Sequence, residues 1–247
     1  MIHTAAIAHR KIKANKFSLD KARYINQILP SRLYVFANKL SIKRFVFLSS
    51  IGVLGFRNNN NECFNEFSKY NCYDFYSEFK KKAEEKLIAQ SQLSKTQLII
   101  LRPTVVYGKN CPGNIRKIVN LVDHNFLFPL SSRSNKRSLI YLNNLLSAIS
   151  KSLNHPINSA KIFVISDKET ISTSDLIKTI SKIRNKKIFI LKLPSFIFNL
   201  LKTLPFLKKR ISQLTDNLVV DSSHFAETME WEQPYSQVES LKKCFLK

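Results

Sequence analysis

Short apolar runs alternate with longer segments of helical period along the first hundred residues. Residues 44–50 read Arg-Phe-Val-Phe-Leu-Ser-Ser, apolar without alternation, which suits a parallel strand covered on both faces. Residues 97–103, Gln-Leu-Ile-Ile-Leu-Arg-Pro, repeat that pattern and are stopped by proline. Residues 1–6 read as the tail of a buried strand entering a loop of small residues. Between these runs, residues 18–38 carry helical period, with Ala22, Ile25, Leu29, Leu33 and Phe36 on one side. Pro30 is expected to kink or divide that helix. Residues 73–90 are rich in Lys, Glu and Ala and predict a strong helix. Strand, helix, strand, helix, strand at this spacing predicts a parallel sheet with helical crossovers.

Further along, the pattern predicts helices over 115–125 and 143–155 and strands over 137–142 and 161–165. Ser172 or Thr173 is placed to cap a helix running to about residue 184. Residues 58–61 form an asparagine loop, and the chain beyond 185 reads as a small, mostly helical appendage.

Length and composition narrow the class. A chain of 247 residues holds one large domain or two small ones. Only four glycines occur (Gly52, Gly55, Gly108, Gly113), and none lies in a G-x-G-x-x-G arrangement. Forty Lys and Arg against 17 Asp and Glu give +23. The plain reading is compositional drift, with Lys, Asn and Ile abundant throughout; the alternative is a surface that seeks an anionic partner. Cys63, Cys72, Cys111 and Cys244 show no C-x-x-C spacing and no histidines at ligand distance. They predict reduced thiols in a cytoplasmic protein, and no metal site. The apolar stretch at 193–207 is interrupted by Pro194, Asn199, Lys202 and Pro205, too broken to span a bilayer, and is read as packing ahead of peripheral membrane contact.

One pair carries chemistry. Of the eight tyrosines, only Tyr76 has a lysine at +4, Lys80. Positions i and i+4 share a helix face, so a lysine there can lower the tyrosine pKa and hold a ribose hydroxyl. The tyrosine can then exchange a proton with a substrate hydroxyl while hydride moves to or from a nicotinamide. Ser50 ends a strand upstream of the pair. His3 reads as a structural polar group ahead of a catalytic base.

These segments together resemble a known family. Residues 45–55, Phe-Val-Phe-Leu-Ser-Ser-Ile-Gly-Val-Leu-Gly, are similar to the "fVfiSSixvyG" strand of extended short-chain dehydrogenases/reductases, the NAD-dependent epimerase/dehydratase group. Residues 76–84 resemble its "YGxSKxxAE" helix, residues 101–108 its "lRPxxvYG", residues 2–6 its "vvHlAA" and residues 137–145 its "RxxixvxDl". Five matches in order are far more specific than any one. The resemblance covers roughly residues 1–180 and sits nearest bacterial enzymes acting at C4 of UDP-hexoses or UDP-N-acetylhexosamines for surface polysaccharide.

The resemblance implies an α/β fold: a truncated Rossmann-like parallel sheet lacking the first strands, over 1–108, with a small mixed substrate region over 109–247. It implies NAD or NADP as cofactor and a UDP-sugar as substrate. Tyr76 would be the acid/base, Lys80 would hold the nicotinamide ribose, and Ser50 would bind the reacting oxygen. Thr4, Ala5 and Ala6 would line the cofactor. Asn114 and Arg137 would face the nucleotide sugar, Arg137 as a phosphate donor. The sequence departs from the pattern at Ser77 for glycine, Phe79 for serine and Leu54 for tyrosine. The larger departure is the absent phosphate loop, which such enzymes carry on their first strands.

Three functions remain open on this reading. The chain is an epimerase or 4-keto reductase, completed by an N-terminal fragment or by a true start upstream of Met1, or acting as a homo-oligomer; or it is a degenerate, non-catalytic fragment; or it is a basic protein binding an anionic membrane or, less in keeping with its unpatterned charge, nucleic acid.

Overall fold

The computed structural model describes residues 1–8, 16–58, 62–125, 127–131, 135–157, 160–204, 211–212 and 214–246. Most of the expected loop at 58–61 lies outside them. The strands among the described residues are β1 (Ile2–His3), β2 (Arg44–Leu48), β3 (Gln97–Pro103), β4 (Val105–Tyr107), β5 (Leu127–Ser131), β6 (Arg137–Tyr141), β7 (Lys161–Ile165), β8 (Thr170–Ile171) and β9 (Phe189–Leu193). The helices are α1 (Lys16–Arg23), α2 (Leu29–Lys39), α3 (Phe75–Ser91), α4 (Asn114–Asp123), α5 (Leu142–Asn154), α6 (Thr173–Ile183), α7 (Ser195–Leu201), α8 (Ser223–Thr228) and α9 (Gln237–Phe245).

The fold is α/β. The main sheet is parallel throughout, in the order β1-β2-β3-β7. The unbroken apolar runs of β2 and β3 have a direct cause: each strand is covered on both faces. Phe45, Phe47, Leu98 and Ile100 face Tyr34, Ala37, Ala83 and Leu87 of α2 and α3. Val46, Ile99 and Leu101 face the opposite way, toward Leu145, Ala148, Phe163 and Phe225. Burying such side chains stabilises by roughly 1.5–3 kcal/mol each. Among the described residues β1 pairs only with β2, and Ile2 remains 44% exposed at that edge.

The helix expected over 18–38 is divided, as Pro30 required. Residues Tyr24–Ile28 form a π-helical turn between α1 and α2, and Pro30 sits in the first turn of α2. The face is also corrected. Pro30, Tyr34 and Ala37 are buried, whereas Phe36 is 52% exposed. A π turn holds one more residue than an α turn, so every inward position beyond it moves on by one. The most buried positions of α2 are therefore Pro30, Tyr34 and Ala37, while Leu33 still packs against the edge of that core and Phe36 faces solvent.

The remaining strands pair as β4-β6-β8 and β5-β9, while β7 returns to the main sheet. Helices α4, α6 and α9 pack over Leu139, Phe128 and Leu130 in one core. Among the described residues after 185, the chain carries α7, α8 and α9, joined by non-helical segments with bridges at Leu218 and Val220, and also β9, which the sequence pattern did not predict.

Candidate active site

The C-terminal ends of β1 and β2 lie side by side, because Ile2 is opposite Val46 and His3 opposite Phe47. Thr4, Ala5 and Ala6 follow β1 as an exposed loop. That loop is anchored by Asn26, a fully buried residue of the π turn. Its amide accepts from Ile7 N and donates to Ile7 O, both at 3.0 Å. Ser49 and Ser50 follow β2. The Ser50 hydroxyl accepts from Gly52 N at 3.1 Å and opens a short 3-10 turn, Ile51–Val53.

Helix α3 brings Tyr76 and Lys80 to this edge. Its start is set by a capping box: the Asp74 side chain accepts from Ser77 N, and the Ser77 hydroxyl takes the Asp74 N–H. Ser77, which replaces the family's glycine, is therefore fully used at the N-terminus of the helix. The other two departures are packed: Phe79 stacks on Phe75 and Leu54 is fully buried.

Lys80 is wholly buried. Its Nζ donates to Leu48 O at 2.8 Å and lies 4.5 Å from the Phe47 ring centre and 6.0 Å from that of Tyr76. Burial lowers its pKa to about 7, against an opposing pull from Glu84 one turn on. Burial raises the Tyr76 pKa instead, with Asp74 and Tyr73 adding to the rise and a hydrogen bond with the Ser50 hydroxyl pulling the other way. The expected lowering of Tyr76 by Lys80 is thus not what this arrangement produces. The lysine is turned to the Leu48 carbonyl, and desolvation outweighs charge proximity. His3, stacked on Phe47 at 5.9 Å, has a buried Nε2 without a hydrogen-bond partner among the described residues and a pKa lowered to about 4 by burial and then by Lys80.

The Lys80 shift has a measurable consequence. In unfolded chains its pKa is near 10.5, so between pH 7 and 10.5 the unfolded state holds a proton that the folded state has lost. Stability then rises with pH across that window, by up to about 1.4 kcal/mol per unit, and the full burial cost persists below pH 7. Urea unfolding at several pH values should show this slope in the native chain and lose it in Lys80→Met. An identical slope in both would mean the ammonium is not desolvated.

Behind the pair lies a second cluster, built from Glu84 of the "AE" pair and Arg102 of "lRP". Their side chains are 0% and 2% exposed and meet at 2.6 Å. Tyr70 donates to Glu84 at 2.9 Å and accepts from Arg102 at 3.0 Å, and the Ser49 hydroxyl also donates to Glu84. The sequence motifs contained both residues without assigning them a role; their presence in one motif set was the available signal.

Asn114 and Arg137 do converge. Both line a cavity of about 260 Å³ with Val105, Lys117, Leu139 and Leu214. Asn114 is the first residue of α4, and Arg137 opens β6 and donates to Asp216 O at 3.0 Å. Tyr73, missed from sequence, links the two clusters: it interacts electrostatically with both Tyr76 and Arg137, and burial pushes its pKa up to about 12. Asn144, in the first turn of α5, is fully buried and donates to Asp167 at 2.7 Å, beside Tyr107.

A parallel sheet whose strand ends meet a Tyr-x-x-x-Lys helix defines an extended short-chain dehydrogenase/reductase of the NAD-dependent epimerase/dehydratase type. The chain belongs to the 3-beta hydroxysteroid dehydrogenase/isomerase family, whose model matches residues 1–191. It is 30% identical over 244 residues to the UDP-glucose 4-epimerase of Vibrio cholerae, spanning 98% of this chain and 74% of that one. It is 24% identical over 187 residues to an N-acetyl-alpha-D-glucosaminyl-diphospho-ditrans,octacis-undecaprenol 4-epimerase of Escherichia coli O157:H7, with 70% and 56% covered. The crystal structure of UDP-glucuronic acid 4-epimerase from Bacillus cereus in complex with NAD superposes with a TM-score of 0.78 at 16% identity, over 99% of this chain and 72% of that one.

Proposed function

We propose that this chain carries the catalytic and sugar-binding part of an NAD(P)-dependent 4-epimerase of a UDP-hexose or UDP-N-acetylhexosamine. The observation that carries the reading is the convergence of Ser50, Tyr76 and Lys80 at the strand ends, linked through Tyr73 to the cavity holding Asn114 and Arg137. The residues fit the nicotinamide-ribose half of a dinucleotide. In its ammonium form Lys80 has three N–H donors and a single hydrogen-bond acceptor among the described residues, Leu48 O, which leaves donors for two ribose hydroxyls. The 247 residues hold no glycine-rich loop for the pyrophosphate.

The chemistry the dinucleotide supplies when bound is reversible hydride transfer at C4. The chain's own groups then have separate tasks. Tyr76 takes the proton of the C4 hydroxyl as the phenolate and returns it to the C4 keto oxygen as the neutral phenol, with Ser50 hydrogen-bonded to the same oxygen. Lys80 holds the ribose, and Thr4, Ala5 and Ala6 form the floor beside the nicotinamide. Arg137 and Asn114 take the diphosphate, where a planar guanidinium matches two oxygens at once.

The family's name also raises a steroid, but a neutral sterol offers Arg137 and Lys117 no anion, whereas a diphosphate does. Calorimetry with UDP therefore tests the reading without needing turnover. We expect UDP to bind, Arg137→Ala to weaken it at least about tenfold, and a 3-hydroxysteroid not to bind. Equal UDP affinity in both chains, or preference for the steroid, would overturn the assignment.

A further inference from the structure

Beyond this activity, and independent of it, we propose that β9 and α7 form a face that docks on an anionic lipid surface. Charge is the first observation. Residues 176–215 contain ten Lys or Arg and no Asp or Glu. Carboxylates from outside the stretch pair with Lys178, Arg184 and Lys202. Lys182, Lys186 and Lys187 have no acidic partner among the described residues.

The second observation is apolar. In β9, Ile190 packs into the core with Phe128 and Leu130, while its neighbours Phe189 and Leu191 are 66% and 47% exposed. Alternation puts those two on one outward face. In α7, Phe198 is buried as the anchor, while Phe196 and Leu200 are 69% and 67% exposed. Their i, i+4 spacing puts them on one side of the helix. Among the described residues of the stretch expected to serve as packing, Phe198 is buried and Leu193, Ile197 and Leu201 are half-buried, while Phe196 and Leu200 face solvent.

Cations without acids beside projecting Phe and Leu match a lipid interface, where phosphates take the charge and acyl chains take the side chains. A second copy of this chain is a poor occupant, because it would bring +23 against +23 with no acidic group on the face to offset it. Nucleic acid would satisfy the lysines and leave the apolar side chains in water.

Flotation of the full chain with phosphatidylcholine vesicles, with and without phosphatidylglycerol, tests the proposal. We expect comigration with the anionic vesicles only, weakened at least about tenfold by Phe196→Glu with Leu200→Glu, and separately by Lys187→Glu. Both sites are exposed, so thermal melting monitored by circular dichroism should show unchanged folding. Absent binding, equal binding to neutral vesicles, or binding untouched by the variants would overturn the proposal. So would a concentration-dependent dimer that the Phe196→Glu change abolishes, or binding to duplex DNA with no affinity for lipid.

Discussion

Tyr76→Phe is expected to lower C4 turnover by about a hundredfold or more while leaving UDP affinity within about twofold. The substitution removes one oxygen and nothing else. A positioned acid/base contributes roughly 10²–10⁴ to rate, and the phenolic proton is needed only in the chemical step, so loss should appear in kcat and not in binding. The environment makes this a clean test. Burial, Asp74 and Tyr73 raise the phenol pKa and the Ser50 hydroxyl pulls it the other way, so the group is a neutral donor toward a C4 keto oxygen and takes the C4 hydroxyl proton only as the phenolate. The ring itself keeps its packing in the variant. Steady-state rates with a UDP-hexose, together with calorimetry on UDP, separate the two effects. Near-native turnover in the Tyr76→Phe variant would remove Tyr76 from the chemistry and with it the proposed mechanism.

Glu84→Ala is expected to cost about 3–5 kcal/mol of stability. The substitution leaves Arg102, 2% exposed, with an uncompensated charge in the interior, and removing one partner of a buried pair typically costs that much. The loss is a large share of the roughly 5–15 kcal/mol that holds a domain together. Ser49 and Tyr70 would lose their acceptor at the same time, and Ser49 adjoins the Ser50 hydroxyl at the site. Urea denaturation of the single variants and of Glu84→Leu with Arg102→Leu would apportion the effect. The double variant should recover much of what the single one loses, because two apolar side chains leave no buried charge. A single variant within about 1 kcal/mol of native would mean that water reaches Arg102 and the pair is not desolvated.

Much of the architecture was legible in the sequence. The runs at 44–50 and 97–103 lacked alternation because both faces of a central parallel strand are covered, and that signal is local. The helix bearing Tyr76 and Lys80 was legible for the same reason: propensity and i, i+4 spacing are properties of adjacent residues. The motif matches placed Ser50, Tyr76, Lys80 and Arg137 as candidates and the family resemblance added Asn114, and the structure gathers them into two neighbouring clusters.

What the sequence determined by itself was therefore the strand and helix order from β1 to β3, the parallel sheet and the residue types at its edge. Tertiary structure decided the rest, for reasons that no window along the chain contains. The π turn before Pro30 advanced the inward face of α2 by one residue, and only packing against the sheet shows it. Glu84 and Arg102 lie 18 residues apart and Asn144 and Asp167 lie 23 apart, so their pairing depends on how β3, α3 and α5 are brought together. The direction of the Tyr76 shift was set by burial, a sum over neighbours from many segments, which overrode the charge effect that spacing alone suggested. Exposure of Phe189, Phe196 and Leu200 was equally hidden, because an apolar side chain reads the same in sequence whether the fold covers it or leaves it to a partner.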